Sequence, residues 1–187
     1  FRLPVDRVFS MKGFGTVVTG TLLSGSIAVG KEVEILPRNV KARIRGIQVH
    51  NKPAEIAVAG MRTALNMQGL DKASLERGDV VAAPDTLVPT RKAAAWFEHL
   101  KNAPRPLKNR TRVRFHAGTS ELPGRVVILS APELQPGEAG FVQIVFETPA
   151  VLLPHDRYVL RSYSPVFTIG GGEVLDILPP KYKRTSD

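Results

Sequence analysis

The sequence predicts an all-β protein, with room in its 187 residues for one domain or two small barrels. Two observations predict it: short β-favouring runs punctuated throughout by 16 glycines and 15 prolines, and the lack of any long amphipathic helical stretch. Hydrophobic residues at 43% with 23% charged leave apolar material for one or two packed cores and exclude disorder.

The chain opens inside a strand at Phe1. Strands are then expected over Gly15 to Leu23, Glu32 to Leu36, Lys41 to Val49, Arg62 to Met67 and Asp79 to Ala83. Turns fall at Ser24-Gly25, Val29-Gly30, Asn51 to Pro53 and Arg77-Gly78. Alternation within Lys41 to Val49 slips by one at Gly46, which predicts a bulge there. Residues 83 to 89 carry Pro84 and Pro89 without periodicity and read as a linker. Beyond it, strands are expected over Arg110 to Ala117, Arg125 to Leu129, Phe141 to Glu147, Tyr158 to Arg161 and Phe167 to Leu178. Leu122-Pro123-Gly124, Gln135-Pro136-Gly137 and Pro154-His155-Asp156 should separate them. Ala93 to Leu100 is ambiguous on its own: alanine favours helix, but the segment is short and bracketed by prolines.

A net charge of +9 points to anionic partners, whether nucleic acid, membrane face or acidic protein. Without cysteine there is no disulfide, thiolate-ligated metal or thiol nucleophile. Apolar runs fall far short of the ~20 residues that span a bilayer, so a soluble, cytoplasmic protein is expected. Because it starts with Phe1, the chain reads as part of a longer protein.

Gly25 to Lys31 (GSIAVGK) matches most of a phosphate-binding loop, but Glu32 stands where a magnesium-binding hydroxyl is needed, and a strand follows instead of a helix. A turn is the better reading. Gly13-Phe-Gly15 lacks the third glycine of a dinucleotide fingerprint and reads as a strand-entry turn. His50, His99, His116 and His155 are too dispersed to suggest a metal site, and no nucleophile elbow or triad is marked. The stretch Arg105, Lys108, Arg110, Arg112, Arg114 contains no acid. Its last three members alternate with Thr111, Val113 and Phe115, so a strand would direct three guanidiniums to one face, suited to a phosphate backbone. An ordinary solvated strand face has the same spacing. Lys181, Lys183 and Arg184 extend that charge or form a soluble tail.

Phe9 to Leu36 (FSMKGFGTVVTGTLLSGSIAVGKEVEIL) resembles the second domain of translational GTPases of the elongation factor Tu kind. Phe1 to Phe9 (FRLPVDRVF), Leu75 to Val81 (LERGDVV) and Thr168 to Asp176 (TIGGGEVLD) look more like the selenocysteine-specific, bacterial SelB type. The resemblance covers nearly the whole chain. It implies two consecutive β-barrels, residues 1–86 and 87–180, with 181–187 starting a linker or tail, and it makes Ala93 to Leu100 a strand.

The resemblance further implies that the chain carries selenocysteinyl-tRNA for delivery to the ribosome at recoded UGA codons. GTP and magnesium belong to a GTPase domain before these barrels, and the selenocysteine insertion element in mRNA to modules after them. The barrels themselves are expected to hold no cofactor or metal and not to be an enzyme, although the parent is a GTPase. A monomer without membrane association is expected. The implied aminoacyl pocket holds Asp6, Arg7 and Arg62: a selenol is more acidic than a thiol and is an anion at neutral pH, so arginines offer charge-assisted bonds that a seryl hydroxyl cannot repay. Asp6 either accepts from the aminoacyl ammonium or orients Arg7. Gln48, His50 and Asn51 match the turn that meets the terminal adenosine, or are polar hairpin residues. Arg105, Lys108, Arg110, Arg112 and Arg114 would follow the acceptor and T-stem backbone. Alternatives are general aminoacyl-tRNA barrels of a Tu-like or initiation-type GTPase, a flavin-reductase-type barrel, and a protein-interaction barrel.

Overall fold

The computed structural model describes residues 1–11 and 15–180. The turn expected at Gly13-Phe-Gly15 and the tail bearing Lys181, Lys183 and Arg184 lie wholly or partly outside these residues. The chain divides into two compact units, one ending at Val88 and one beginning at Pro89.

In the first unit the strands are β1 (Arg2–Met11), β2 (Gly15–Thr21), β3 (Ser26–Ala28), β4 (Glu32–Leu36), β5 (Val40–Val49), β6 (Lys52–Ala54), β7 (Ile56–Val58), β8 (Arg62–Gln68) and β9 (Val80–Ala82). The order β4-β9-β1-β2-β8-β5 closes through β4–β5, while β6 extends the β5 edge and β3 pairs with β7. Closure leaves the ring no open edge. Alternate residues point inward, and Leu3, Val5, Val18, Val33, Ile35, Ile44, Leu65 and Val81 fill the core.

Local sequence explains the irregularities. Register shifts between Ile44 and Gly46 against β8, leaving Arg45 as the extra bulge residue where alternation slips. The hairpin turn lies at His50-Asn51, both with positive φ (49° and 63°), and Val49 pairs with Lys52. That is the two-residue primed turn whose twist matches the flanking strands. Pro53, expected in the turn, stands instead in edge strand β6, where a missing N–H is tolerated. In the segment resembling a phosphate loop, the Gly30 amide donates to the Ile44 carbonyl (2.8 Å), and β4 follows. Those amides serve the barrel.

The second unit contains β10 (Thr90–His99), β11 (Leu107–Lys108), β12 (Arg112–Ala117), β13 (Ser120–Ile128), β14 (Glu133–Leu134), β15 (Ala139–Ala150), β16 (Arg157–Ser162) and β17 (Thr168–Asp176). It closes in the order β10-β15-β13-β12-β16-β17. Ala93 to Leu100 falls almost entirely in β10, because Ala93, Ala95 and Phe97 alternate into the core while Trp96 and Glu98 face outward. Burial overrides alanine's helical propensity. At Gly172 of β17, an added Cβ would lie 1.9 Å from the Trp96 carbonyl oxygen, so this close strand approach needs glycine.

Two further expectations need correction. Leu122-Pro123-Gly124 does not separate strands but continues β13; Pro123 lies opposite Arg114, before the β13–β15 ladder begins at Gly124. Arg110 is not in the arginine strand. It occupies a turn with φ 63°, in which the Thr111 amide and hydroxyl both donate to the Lys108 carbonyl, and β12 begins only at Arg112.

Among the described residues, no helix is long and apolar enough to cross a membrane, and no group of three metal-ligating side chains occurs.

Candidate functional site

On the first barrel, β1 shifts register between the pairs Val5–Gly20 and Arg7–Thr19, which leaves Asp6 as an extra residue beside β2. Its carboxylate collects donors from two strands. The Thr19 hydroxyl donates to Oδ1 at 2.6 Å, Arg62 Nη2 donates to the same oxygen at 3.2 Å, and Arg62 Nη1 donates to Oδ2. Arg62 is the first residue of β8, on the outward face that alternates with buried Thr63 and Leu65. Partial burial works against ionisation of Asp6, but the bonds from Arg62 and Thr19 and the charges of Arg62 and Arg7 outweigh it and hold the carboxyl below its ordinary value. The bond to Asp6 raises the Arg62 pKa in turn.

Arg62 lines a cavity of about 260 Å³ with Thr19, Gln48, His50, Asn51, Thr63 and Ala64. Four of the residues expected to meet the aminoacyl end therefore share one wall. Asp6 and Arg7 are not among those lining it. Asp6 grips Arg62, a partnership the sequence did not suggest, since Arg7 was its expected neighbour. Arg7 is exposed and acts on Asp6 through its charge alone. A more apolar slot of about 330 Å³ adjoins this cavity through Gln48 and Ala64, with Phe9, Val17, Ile47 and Pro53 in its walls and Arg45 among its lining.

On the second barrel, Arg112 and Arg114 lie two apart on the outer face of β12, as alternation requires. Both are clasped by carboxylates from elsewhere in the chain. Arg112 Nε and Nη2 each donate to Glu147 at 2.7 Å, and Arg114 Nη1 donates to Glu121. Their guanidinium carbons lie 3.8 and 4.9 Å from the Tyr163 ring centroid. The arginine bonds hold both glutamates below the ordinary carboxylate range. Arg105 and Lys108 are exposed and lie with Arg112 around a cavity of about 710 Å³ whose apolar lining includes Leu107, Tyr163, Phe167 and Ile169. That lining contains three cations and no carboxylate. Arg110 is exposed in its turn and is not among the lining residues; its carbonyl accepts from Arg125 Nη1 at 3.2 Å.

Thr19, Glu121, Glu147 and Tyr163 went unread in the sequence. Thr19 sits in an ordinary strand pattern, and the other three come from strands or loops 7 to 51 positions away from the arginines they meet. Only the closed barrel brings them together.

Residues 15–82 match the family of elongation factor Tu domain 2, and residues 96–181 match the beta-barrel domain of selenocysteine-specific elongation factors. The selenocysteine-specific elongation factor of Desulfomicrobium baculatum is 46% identical over 186 residues, covering 100% of this chain. That of Escherichia coli (strain K12) is 37% identical over 183 residues, or 97% of this chain. Elongation factor Tu 2 of Streptomyces avermitilis is 30% identical over 181 residues, or 95% of this chain and 46% of its own length. The chain spans 29% and 28% of the two selenocysteine-specific relatives. With both barrels matched in order and the identity sustained along the whole chain, this protein belongs to the selenocysteine-specific elongation factor family.

Proposed function

We propose that the two barrels carry selenocysteinyl-tRNA, the first holding the aminoacyl end and the second the RNA backbone. The observation that supports this best is the Asp6–Thr19–Arg62 cluster, in which Thr19 and Arg62 line a cavity whose lining contains no carboxylate. Asp6, Arg7 and Arg62 together carry one net positive charge, enough to balance one selenolate. Arg62 keeps N–H donors beyond the two given to Asp6, because guanidinium has five. A neutral seryl hydroxyl in the same place leaves those donors poorly matched, and unmatched polar groups are what reject a ligand most effectively.

In this reading Asp6 orients Arg62, and Arg7 adds charge from outside the cavity. Gln48, His50 and Asn51 face the terminal adenosine, whose base fits the apolar slot next door. Arg105 and Lys108, with Arg112, meet phosphates of the acceptor and T-stem at the mouth of the larger cavity, where A-form RNA presents phosphates and 2′-hydroxyls. Arg110 and Arg114 flank that contact. GTP hydrolysis with magnesium, ribosome binding and recognition of the mRNA insertion element belong to parts of the factor outside these barrels. Delivery takes place in the cytoplasm, by a monomer.

Binding of tRNA to the complete factor across a salt series tests the second barrel. Arg112→Ala is expected to weaken all tRNAs about equally and to lower the salt slope by roughly one or less. An unchanged slope removes Arg112 from the interface. Glu147→Gln has the opposite expected sign. It frees Arg112 from its carboxylate clasp, so tRNA binding strengthens and the salt slope steepens. Weaker binding by that variant would mean that Glu147 orients Arg112 for RNA and does not compete for it.

A further inference from the structure

Thr19 lies on the outer face of β2, directly across the ladder from Arg7, and its hydroxyl makes the shortest bond that Asp6 Oδ1 receives, 2.6 Å against 3.2 Å from Arg62. Asp6 is the extra residue of a bulge, so regular strand pairing does not set its side-chain direction. Arg62 cannot set it alone, because a long arginine side chain with its head half exposed has many rotamers of its own. The threonine differs: its branched side chain is stiff at χ1 and stands on a paired strand in the barrel wall. It is the one rigid member of the three.

We infer that Thr19 is a positioning residue for selenol recognition, its hydroxyl locking the Asp6 carboxylate so that Arg62 presents a fixed set of N–H donors to the cavity. This rests on the reading in which that cavity takes the selenocysteinyl group. Two donors of Arg62 are committed to Asp6, and which of the remaining ones face the cavity depends on where the carboxylate plane lies. Thr19 also lines the cavity, so the residue that fixes the charge pair shapes the space the ligand enters.

The test compares selenocysteinyl-tRNA and seryl-tRNA binding to the complete factor carrying Thr19→Val, Thr19→Ser or Arg62→Ala. Valine keeps the shape and β-preference of threonine but cannot donate. It is expected to reduce the selenocysteinyl-over-seryl ratio by roughly three- to tenfold, the scale of one net hydrogen bond, and serine is expected to restore most of it. A purely structural role would weaken both esters together and leave the ratio alone. Carboxyl NMR of Asp6 gives an independent reading. The depressed carboxyl stays ionised, and gripped by Arg62, until pH falls through its folded value; without the Thr19 bond that loss moves to higher pH. If Arg62→Ala leaves the ratio unchanged, the selenocysteine-pocket reading itself fails. If Arg62→Ala lowers the ratio but Thr19→Val does not, or if serine behaves like valine, only the role of the Thr19 hydroxyl is overturned.

Discussion

Arg62→Ala is expected to cut the preference for selenocysteinyl-tRNA over seryl-tRNA by roughly 10- to 100-fold. A hydrogen bond to a charged group contributes about 1.5–3 kcal/mol, and about 1.4 kcal/mol corresponds to tenfold. The loss should fall on the selenocysteinyl ester, since the seryl hydroxyl gains little from the guanidinium. Truncation also removes the two bonds that Arg62 gives Asp6 and keeps only that from Thr19 among the three described, placing a less compensated carboxylate near the bound anion. That repulsion adds to the lost bond. Arg62→Lys should recover only part of the preference, because an ammonium keeps the charge but cannot span the carboxylate with a planar fork while offering further donors. The measurement is competitive equilibrium binding of the two charged tRNAs; an unaltered ratio in the alanine variant would remove Arg62 from the pocket.

Phe115→Ala should produce the largest loss of stability in the second barrel, about 3–5 kcal/mol. The ring is fully buried, stacks on Tyr158 at 4.8 Å between centroids and meets Phe146 edge-on at 5.0 Å. The site has little freedom to collapse into the gap. Tyr158 is anchored by its hydroxyl to the Trp96 carbonyl at 2.9 Å, and burial pushes its phenol above the ordinary value, so it stays protonated as a donor. A cavity that cannot relax costs toward the upper end of the range. Phe115 lies on β12 just beyond Arg112 and Arg114, so fraying of this strand should also weaken tRNA binding as temperature rises. Urea or thermal unfolding measures the first effect directly, and a loss below about 1 kcal/mol would show that neighbours do fill the space.

How far these sites were legible in the sequence depends on the range of each interaction. The Glu32 to Leu36 strand, the slip at Gly46 and the outward spacing of Arg112 and Arg114 are local, and period-two alternation exposes them. Ala93 to Leu100 is different. Its composition favours helix, and only the resemblance to a known barrel made it a strand, because the deciding energy lies in pairing with β15 and β17. Short strands such as β3, β6, β7, β11 and β14 have too few residues to show any period. For the candidate sites, Arg62 and the Gln48 to Asn51 turn were placed by motif, and the structure brings them to one cavity. The clasping of Arg112 and Arg114 was hidden, since a stretch free of acids in sequence meets Glu121 and Glu147 in space. Arg110 was misplaced because alternation continues through a turn that only its left-handed backbone reveals.

The turn at His50-Asn51 departs from the backbone's own preference. A two-residue hairpin with positive φ at both positions is most comfortable with Asn-Gly, and histidine at the first position is a costlier choice for the backbone. Glycine would suit the second position better still, yet would leave a gap in the cavity wall that Asn51 now fills. This hairpin therefore holds a small unrealised reserve of stability, which glycine would release only by removing a side chain from the rim.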